Sequence, residues 1–415
     1  MAESAKIVSA VDIGSSKVVA LVGEAGEREG DFSIIGVGIV PSRGMKRGQI
    51  VNVGEVTQAI REAVDGAERS SATTMSTALV SVAGNHIQSQ NSHGAVAIGR
   101  GEQGVTSEDI NRVLEAAQAI TVPNNREVIH VIPRHFKVDE QEGVRHPLGM
   151  LGYRLEAQTN IVTASSTAIQ NLYKCLHGAR IEHAEAVLAP LASAEATLTP
   201  TEREMGVVLA DIGHGTTDIA IYIDGAVWHV SVLEVGGWHF TSDLAKVLRL
   251  PLDTAEQIKL AHGQASLRDL TTEAPFVAAG FGDEGDVTIQ RRDMAEILHE
   301  RARELFDLIM LEVKRSGYDG LLPAGLVLTG GGAQLPGLRE VAREVARLPV
   351  RLAAPSNLHG LVDAIKSPAY STAVGLVKWG MLNVVAKPSR RRRVLPNLRI
   401  DVKGWFGNLL PRSDS

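Results

Sequence analysis

Two short segments of this chain combine glycines, hydroxyl side chains and carboxylates between apolar runs. They are residues 12–17 (DIGSSK) and residues 211–218 (DIGHGTTD). Glycine lets the backbone approach a ligand closely, and backbone N–H groups together with hydroxyl groups can bind a phosphate. Carboxylates can hold a hydrated Mg²⁺ beside that phosphate. One such turn is more often an ordinary hairpin, but two of them in two halves of one chain indicate a nucleotide held between two similar domains.

Apolar runs on either side of each segment predict the strands that must position it. These flanking strands are residues 7–13, 18–24, 206–210 and 219–223. In both halves predicted helices follow, and a polar stretch interrupts the order, first at residues 84–161 and again, as a loop, at residues 271–288. The pattern predicts an α/β protein built from two related domains.

The composition is that of a soluble globular protein and disfavours several functions. Of 415 residues, 44% are hydrophobic, 22% charged and 4% aromatic, and the net charge is −6, so we do not expect a nucleic-acid binder. The single cysteine, Cys175, excludes an internal disulfide and is interpreted as a buried structural thiol. No signal peptide is visible, and no apolar run reaches the roughly 18–20 residues that span a bilayer. We therefore expect a cytosolic protein.

A third glycine-rich motif, residues 329–333 (TGGGA), follows a predicted buried strand. Together the three motifs, in this order within residues 7–380, resemble those of the actin, heat-shock chaperone and sugar-kinase ATPase superfamily. They are similar to its first phosphate loop, second phosphate loop and adenosine loop. The predicted helices at residues 166–178 and 370–375 resemble its connecting helices.

Within that superfamily the chain resembles the FtsA family of bacterial cell-division actin homologues. The stretches that carry this resemblance are residues 41–45 with Gly48, residues 130–133 followed by 139–143, and residues 147–149. The family has a distinctive inserted subdomain where this chain has residues 84–161. Its members also tend to end in an amphipathic tail.

The resemblance implies an actin-like α/β fold in which two related domains, each with an inserted subdomain, surround a nucleotide cleft. The first core domain is assigned to residues 1–83, 162–205 and 361–385, and the second to residues 206–242 and 306–360. The inserted subdomains are assigned to residues 84–161 and 243–305. Residues 386–400 are predicted to be a basic flexible linker, and residues 401–412 an amphipathic helix.

The resemblance also implies which residues bind ATP and Mg²⁺. The phosphate-contacting residues are expected to be Gly14, Ser15, Ser16 and Lys17 from the first loop and Gly213, Gly215, Thr216 and Thr217 from the second. Near the adenosine we expect Gly330, Gly331, Gly332, Glu256 and Lys259. For Lys259 a solvated helix face is the alternative. The expected Mg²⁺ residues are Asp12, Asp211 and Asp218, acting mostly through water.

One departure from the superfamily concerns the chemistry of hydrolysis. Chaperone relatives carry an acid before the proline of a Glu-Pro-x-Ala stretch, and that acid positions the attacking water. Here residues 189–192 read APLA, so Ala189 replaces the acid. Because a water-positioning residue is worth several powers of ten in rate, we expect at most a slow ATPase.

The end of the chain changes in composition. Residues 387–393 carry five positive charges and no acid. An apolar stripe with the i, i+3, i+4, i+7, i+8 spacing of a short helix follows at Val402, Trp405, Phe406, Leu409 and Leu410. This stripe could dock on the body, bind a partner, or lie in a membrane interface; Trp405, Phe406 and the family resemblance favour the membrane.

The resemblance implies a protein at the division site, on the cytoplasmic face of the cell membrane. It implies self-association into filaments, anchoring of the tubulin-like FtsZ ring to anionic inner-membrane lipid, and recruitment of later division proteins, with no nucleic-acid partner. A small-molecule kinase of the same superfamily is one alternative. A pilus or shape-determining actin relative is another, and it would lack the 130–149 signature.

Overall fold

The computed structural model of the chain describes residues 6–26, 31–99, 104–268, 274–282 and 285–385. The predicted linker and the predicted amphipathic helix, residues 386–412, lie outside the described residues. The remaining predictions are compared with the structure below.

The strands follow one another along the chain in this order: β1 (Ile7–Ile13), β2 (Lys17–Ala25), β3 (Phe32–Pro41), β4 (Met45–Lys46), β5 (Gln49–Ile50), β6 (Thr77–Val82), β7 (Gln88–Ala97), β8 (Arg126–Val138), β9 (Gln141–Val144), β10 (Arg154–Ser165), β11 (His183–Leu188), β12 (Val207–Ile212), β13 (Thr217–Ile223), β14 (Ala226–Leu233), β15 (Phe276–Ala279), β16 (Asp286–Ile289), β17 (Gly325–Thr329), β18 (Val350–Leu352) and β19 (His359–Gly360). The helices are α1 (Val53–Ser71), α2 (Ser107–Gln118), α3 (Ser166–Gly178), α4 (Ala189–Thr197), α5 (Pro200–Met205), α6 (Gly237–Val247), α7 (Leu252–His262), α8 (Arg291–Ser316), α9 (Leu338–Ala346) and α10 (Ser371–Val385).

Two sheets with the same topology form the body of the protein. The first has the order β11-β6-β1-β2-β3-β19 and the second the order β14-β13-β12-β17-β18. In each sheet three antiparallel strands come first in the chain, and two parallel strands then extend the edge beside the first of them. The prediction of an actin-like α/β fold with two related halves is confirmed by this shared order.

The strands that carry the two motifs are largely buried. Every residue of β12 and β13 is buried, and so is the middle of β2. Continuous apolar strands of this kind belong to sheets that are covered on both faces. On the first sheet one of those covers is α1, whose Val56, Ile60 and Ala63 are buried and whose first turn is capped by Asn52.

The segment between β6 and α3 forms a separate four-stranded sheet of order β7-β10-β8-β9, covered by α2. From the apolar run at residues 160–164 we expected a strand with which the main fold resumes, and the structure shows that this expectation is wrong. That strand is β10, which runs from Arg154 to Ser165 and pairs with β7 and β8, so it belongs to the inserted sheet. Its apolar end misled the prediction because Val162 and Ala164 are buried in the core of the body.

The polar stretch at residues 271–288, predicted as a loop, contains two short strands in its described part. β15 and β16 pair antiparallel, from Phe276 opposite Ile289 to Ala279 opposite Asp286. Only Ala278 and Ile289 of this hairpin are buried, so the apolar alternation was too short to detect in a polar stretch.

The chain passes between the two halves after α4 and returns before α10, and these two helices pack against each other. Cys175 lies fully buried in α3, as predicted. Within the described ranges no helix is both long enough and apolar enough to cross a membrane.

Candidate functional site

A cavity of about 750 Å³ lies between the two halves and is lined by residues of both motifs. Its walls come from the β1–β2 and β12–β13 hairpins, the segment after β17, and the first turns of α3, α6 and α10. A cavity of this size is within the range of small-molecule and cofactor sites.

The first hairpin is tightened by its own backbone. The Gly14 amide donates to the Lys17 carbonyl at 3.0 Å, which leaves Ser15 and Ser16 at the tip. The Lys17 ammonium lies 4.7 Å from the centre of the Tyr370 ring. Burial lowers the pKa of Lys17, although Asp12 and Asp211 oppose this effect. A cation is thereby placed inside the cavity, where an anionic ligand would bind.

The second hairpin has the same construction. The Gly213 amide donates to the Thr216 carbonyl at 2.9 Å, in the same way as Gly14 and Lys17. The hairpin is also bonded to the first residues of α6. The Gly237 amide donates to the Gly213 carbonyl at 2.9 Å, and the Trp238 amide donates to the His214 carbonyl at 2.7 Å. The hairpin and the helix are therefore fixed to each other.

The tips of the two hairpins meet. A Cβ added to Gly215 would lie 3.1 Å from the Ser15 hydroxyl oxygen, which is closer than side chains normally pack. Only glycine at this position allows the two loops to approach so closely. The structure thus brings together two segments that lie in different halves of the sequence.

Three carboxylates lie at the floor of the cavity, of which Asp211 and Asp218 are buried and Asp12 is half-buried. Asp12 accepts a hydrogen bond from the Ser81 hydroxyl at 2.7 Å, and Asp211 accepts one from Thr372 at 2.9 Å. Asp218 accepts only a 3.3 Å bond from Thr216 through Oδ2, and its Oδ1 is buried without a hydrogen-bond partner.

Burial raises the pKa of all three carboxyl groups. The pKa of Asp211 rises to about 6, because desolvation and the nearby Asp12 outweigh the hydrogen bond from Thr372. Desolvation, followed by repulsion from Asp211, raises the pKa of Asp218 well above its usual value. Desolvation also raises the pKa of Asp12, against the Ser81 hydrogen bond. Three acids facing a single lysine leave an excess of negative charge.

A hydrated Mg²⁺ fits this arrangement. A cation would relieve the repulsion, and its water would supply the donor that Asp218 Oδ1 lacks. Among the described residues no three acid, histidine or cysteine side chains converge closely enough to bind a metal ion directly. Binding through water is therefore the form of the Mg²⁺ prediction that fits the structure.

The segment after β17 forms the opposite end of the cavity. Gly330 has a φ of 88°, and its Cα packs against Asp211 and Ile212 so closely that a side chain would overlap them. Gly331 is different, because a Cβ added there would meet only the Ala369 methyl, at 3.6 Å. Gly331 thus presents bare backbone to the cavity, while Gly332 packs against the base of the second hairpin.

Glu256 and Lys259 from α7 line the same end of the cavity. The Lys259 ammonium donates to Glu256 at 2.7 Å, to the Thr241 hydroxyl at 2.8 Å and to the Gly237 carbonyl at 3.2 Å. Its side chain is 11% exposed, so the alternative of a solvated helix face does not hold. The apolar side chains that line the cavity from α6, α7 and the segment after Gly332 include Phe240, Leu260, Leu335 and Pro336.

One predicted contact residue is placed elsewhere. Thr217 is fully buried, its hydroxyl donates to the Val235 carbonyl at 2.7 Å, and it does not line the cavity. Thr216 and Asp218 face the cavity, and successive side chains of a strand point to opposite faces. That alternation could have excluded Thr217 from the sequence alone. The other predicted phosphate, adenosine and Mg²⁺ residues all line the cavity.

Sequence reasoning missed two residues that orient the carboxylates. Ser81 is the last residue but one of β6 and Thr372 is the second residue of α10, and nothing in their local sequence distinguishes them from other hydroxyl side chains. Ala189, at the start of α4, lines the cavity with a methyl group where the hydrolytic relatives carry an acid.

The twin sheets and the cleft between paired hairpins define an actin-like protein. Solved structures with this fold include a type IV pilus biogenesis complex of PilM and PilN (TM-score 0.65, 16% identity, 90% of this chain and 98% of that chain). MreB5 of Spiroplasma citri bound to ADP is another (TM-score 0.56, 14% identity, 92% and 99%). At these identities the likeness shows the fold alone.

The profile described as "Cell division protein FtsA" matches residues 208–375, and that of the "SHS2 domain inserted in FTSA" matches residues 84–163. The cell division protein FtsA of Pseudomonas aeruginosa is 43% identical over 379 residues, with 91% of this chain and 90% of the relative covered. That of Escherichia coli K12 is 38% identical (90% and 90%), and that of Borreliella burgdorferi 35% (97% and 98%). The chain belongs to the FtsA family of cell division proteins.

Proposed function

We propose that this chain binds ATP and Mg²⁺ in the cleft, polymerises, and anchors FtsZ filaments to the cytoplasmic face of the membrane at the division site. The observation that carries the nucleotide part is the contact between the tips of the two glycine hairpins above three carboxylates, two of them buried. Membership of a cell-division family supports the rest.

In this proposal the ligand lies along the cavity. The amides and hydroxyls of residues 14–17 and 213–216 hold the phosphates from both sides, and Lys17 contributes positive charge. Gly331 lets the adenosine approach the backbone, with Glu256 and Lys259 beside it. Water bound to Mg²⁺ bridges the phosphates to Asp12, Asp211 and Asp218.

Two glycine variants test this proposal. A Cβ added at position 331 overlaps no atom of the protein and Gly331 lines the cavity, so Gly331→Val should fold but bind ATP at least about tenfold more weakly. Gly320→Val is the matched control, because nothing lies within 4 Å of its added Cβ and it is not part of the cavity wall. Calorimetric titration measures the affinity of both variants for MgATP. An affinity of Gly331→Val equal to that of wild type would refute nucleotide binding in this cleft.

We propose that ATP acts mainly as a conformational and assembly ligand. Ala189 has no group that could orient an attacking water, and the loss of such a group slows phosphoryl transfer by several powers of ten. The expected turnover of purified protein is below about one per minute. Rapid Mg²⁺-dependent phosphate release that Asp211→Ala abolishes would contradict this expectation.

The kinase alternative is not supported by the walls of the cavity. A kinase needs a carboxylate placed to deprotonate an acceptor hydroxyl beyond the terminal phosphate. The cavity wall from the β4–β5 hairpin and α3 instead presents uncharged groups, including Gln49, Asn171 and Leu172. Family membership also points away from a kinase.

The membrane part of the proposal depends on the apolar stripe from Val402 to Leu410, which lies outside the described residues. Burying five such side chains gives roughly 8–12 kcal/mol, and ordering the free segment costs roughly 1–2 kcal/mol per residue. The surplus for one tail is at most a few kcal/mol, so stable attachment requires many tails on one filament. Polymerisation and membrane binding are therefore coupled in this proposal.

Vesicle co-sedimentation tests the coupling. The protein with and without residues 390–415 is mixed with anionic vesicles, with and without ATP and purified FtsZ. The full chain should bring FtsZ to the vesicles, and ATP should increase the amount bound. Equal sedimentation of the truncated chain would show that the tail is not the anchor.

A further inference from the structure

The segment between β3 and α1, residues 41–52, crosses the entrance of the cleft and contacts both phosphate-type hairpins; we call it the strap. The Ser42 amide donates to the Ser16 carbonyl at 3.0 Å, and the Gly48 amide donates to the Ser15 hydroxyl at 3.0 Å. From the second hairpin, Gly215 packs against the Cα of Arg47. The strap is thus fixed at the tips of both hairpins.

Arg47 is the residue of the strap that lies between the two tips. Its φ of 50° is in the left-handed region, which a residue other than glycine adopts at a cost. Its guanidinium carbon lies 5.5 Å from the centre of the Trp238 ring. Trp238 in turn is bonded through its amide to the His214 carbonyl of the second hairpin. The side chain of Arg47 is exposed, so it can leave the ring without breaking the packing of the core.

Among the described residues, Arg47 has no acidic partner for its guanidinium, whereas Arg43 has one. Arg43, in the same strap, lies 3.9 Å from Glu62, whereas none of the ion pairs between described residues includes Arg47. An exposed cation–π contact is weak in comparison with a charge-assisted hydrogen bond to phosphate. A phosphate within reach would therefore draw the Arg47 guanidinium from Trp238.

The order of the residues along the cavity indicates which phosphate of a bound nucleotide lies near Arg47. The base of the second hairpin, at Gly213, packs against Gly332 of the adenosine end, whereas its tip, at Gly215, packs against Arg47. A nucleotide with its adenosine at Gly332 therefore has its last phosphate nearest to Arg47.

We propose that Arg47 binds the terminal phosphate of ATP and so makes the cleft distinguish ATP from ADP. This inference rests on the proposed nucleotide binding and extends it to the discrimination between the two nucleotides. Moving from the Trp238 ring to the phosphate changes the surroundings of the indole, so Trp238 reports the event.

Dissociation constants for MgATP and MgADP are measured for the full chain and for Arg47→Ala, Arg47→Lys and Arg43→Ala. Alanine and lysine meet the same backbone strain at position 47 as arginine, so these variants differ in the side chain only. We expect Arg47→Ala to weaken ATP binding about tenfold and ADP binding less than about twofold, with Arg47→Lys between. Arg43→Ala, the matched control, should leave the ratio of the two constants unchanged.

Tryptophan fluorescence supplies a second readout. ATP but not ADP should change the emission of the wild type, and this change should vanish in Trp238→Phe and in Arg47→Ala. Equal weakening of both nucleotides by Arg47→Ala, or an unchanged ATP constant, overturns the inference alone. If the wild type binds neither nucleotide, the proposed function fails and this inference fails with it.

Discussion

Gly375 of α10 lies against the carbonyl oxygen of Ala192 in α4, so closely that any side chain at position 375 would overlap that oxygen. α4 precedes one passage of the chain between the halves, and α10 follows the other. The two helices that join the halves therefore cross at a contact that only glycine permits.

We expect Gly375→Ala to lower the free energy of unfolding by about 1–3 kcal/mol, because the helices must separate to admit the methyl group. Gly380→Ala in the same helix is the control. Its added Cβ would meet the methyl groups of Val8 and Leu79, at 2.5 and 2.7 Å, and side chains shift at a lower cost than the backbone oxygen that faces Gly375. Both variants gain the same helix propensity. Urea unfolding compares both variants with wild type, and a Gly375→Ala variant as stable as wild type would show that the crossing tolerates a side chain.

The carboxylates predict a pH dependence of the ligand-free protein. Asp211 has a pKa of about 6 when folded and an ordinary value near 3.8 when unfolded. Between these values the folded chain binds more protons than the unfolded chain, so the free energy of unfolding falls as the pH rises through this window. The full effect of this one group is about 3 kcal/mol.

Asp211→Asn should lose less stability than wild type between pH 4 and 6.5, because only Asp12 and Asp218, whose pKa values are also raised, still contribute to the loss. The comparison of the two proteins cancels opposing groups such as His130, whose pKa burial lowers to about 4. At pH 7, millimolar Mg²⁺ should raise the stability of wild type more than that of Asp211→Asn. If the free energies of unfolding of the two proteins changed in parallel with pH, the raised pKa of Asp211 would be refuted.

The inserted sheet is attached to the second half by a stacked arginine. The Arg134 guanidinium carbon lies 3.7 Å from the centre of the Trp228 ring, and Tyr318 packs edge-on against Trp228 at 5.0 Å. Arg145 pairs with Glu204 in the same interface, at 2.7 and 2.8 Å, but these side chains are 42% and 50% exposed.

Arg134→Ala should therefore cost about 1–2 kcal/mol and Arg145→Ala less than about 1 kcal/mol, because an exposed ion pair is screened by water. Arg134→Lys should be intermediate, since lysine lacks the planar group that stacks. Hydrogen exchange along β14 measures the docking of the inserted sheet. Exchange that is faster in Arg145→Ala than in Arg134→Ala would reverse this order.

For the tail, we expect Trp405→Glu to release the protein from anionic vesicles at moderate salt. The substitution places a charge in the apolar stripe, where burial in the interface is most costly. Asn408→Glu adds the same charge outside the stripe and should release much less. Retention of Trp405→Glu on vesicles would favour docking of the stripe on the body or on a partner.

Local pattern predicted the parts of the site that are built from neighbouring residues. The hairpins at Gly14 and Gly213 and the glycine segment at Gly331 each form within a few residues, so glycines and flanking apolar runs suffice to find them. Contacts between distant segments have no local signal in the sequence. The contacts of Arg47 with Trp238 and of Gly375 with Ala192 depend on how helices, strands and loops pack together in three dimensions. The wrong assignment of β10 to the main fold has the same cause. Its apolar residues are compatible with either sheet, and only its hydrogen-bonded pairing with β7 and β8 shows which sheet it belongs to.

The position of α10 has a consequence for signalling between the cleft and the membrane. Its first residues are bonded to the cleft, Ser371 to Thr329 at 2.7 Å and Thr372 to Asp211 at 2.9 Å, and its last residue, Val385, adjoins the segment that carries the tail. A helix of 15 residues is a stiff rod of about 22 Å. Under the proposed nucleotide binding and membrane anchoring, a shift of Asp211 on nucleotide exchange would tilt this rod and change the angle at which the tail meets the lipid.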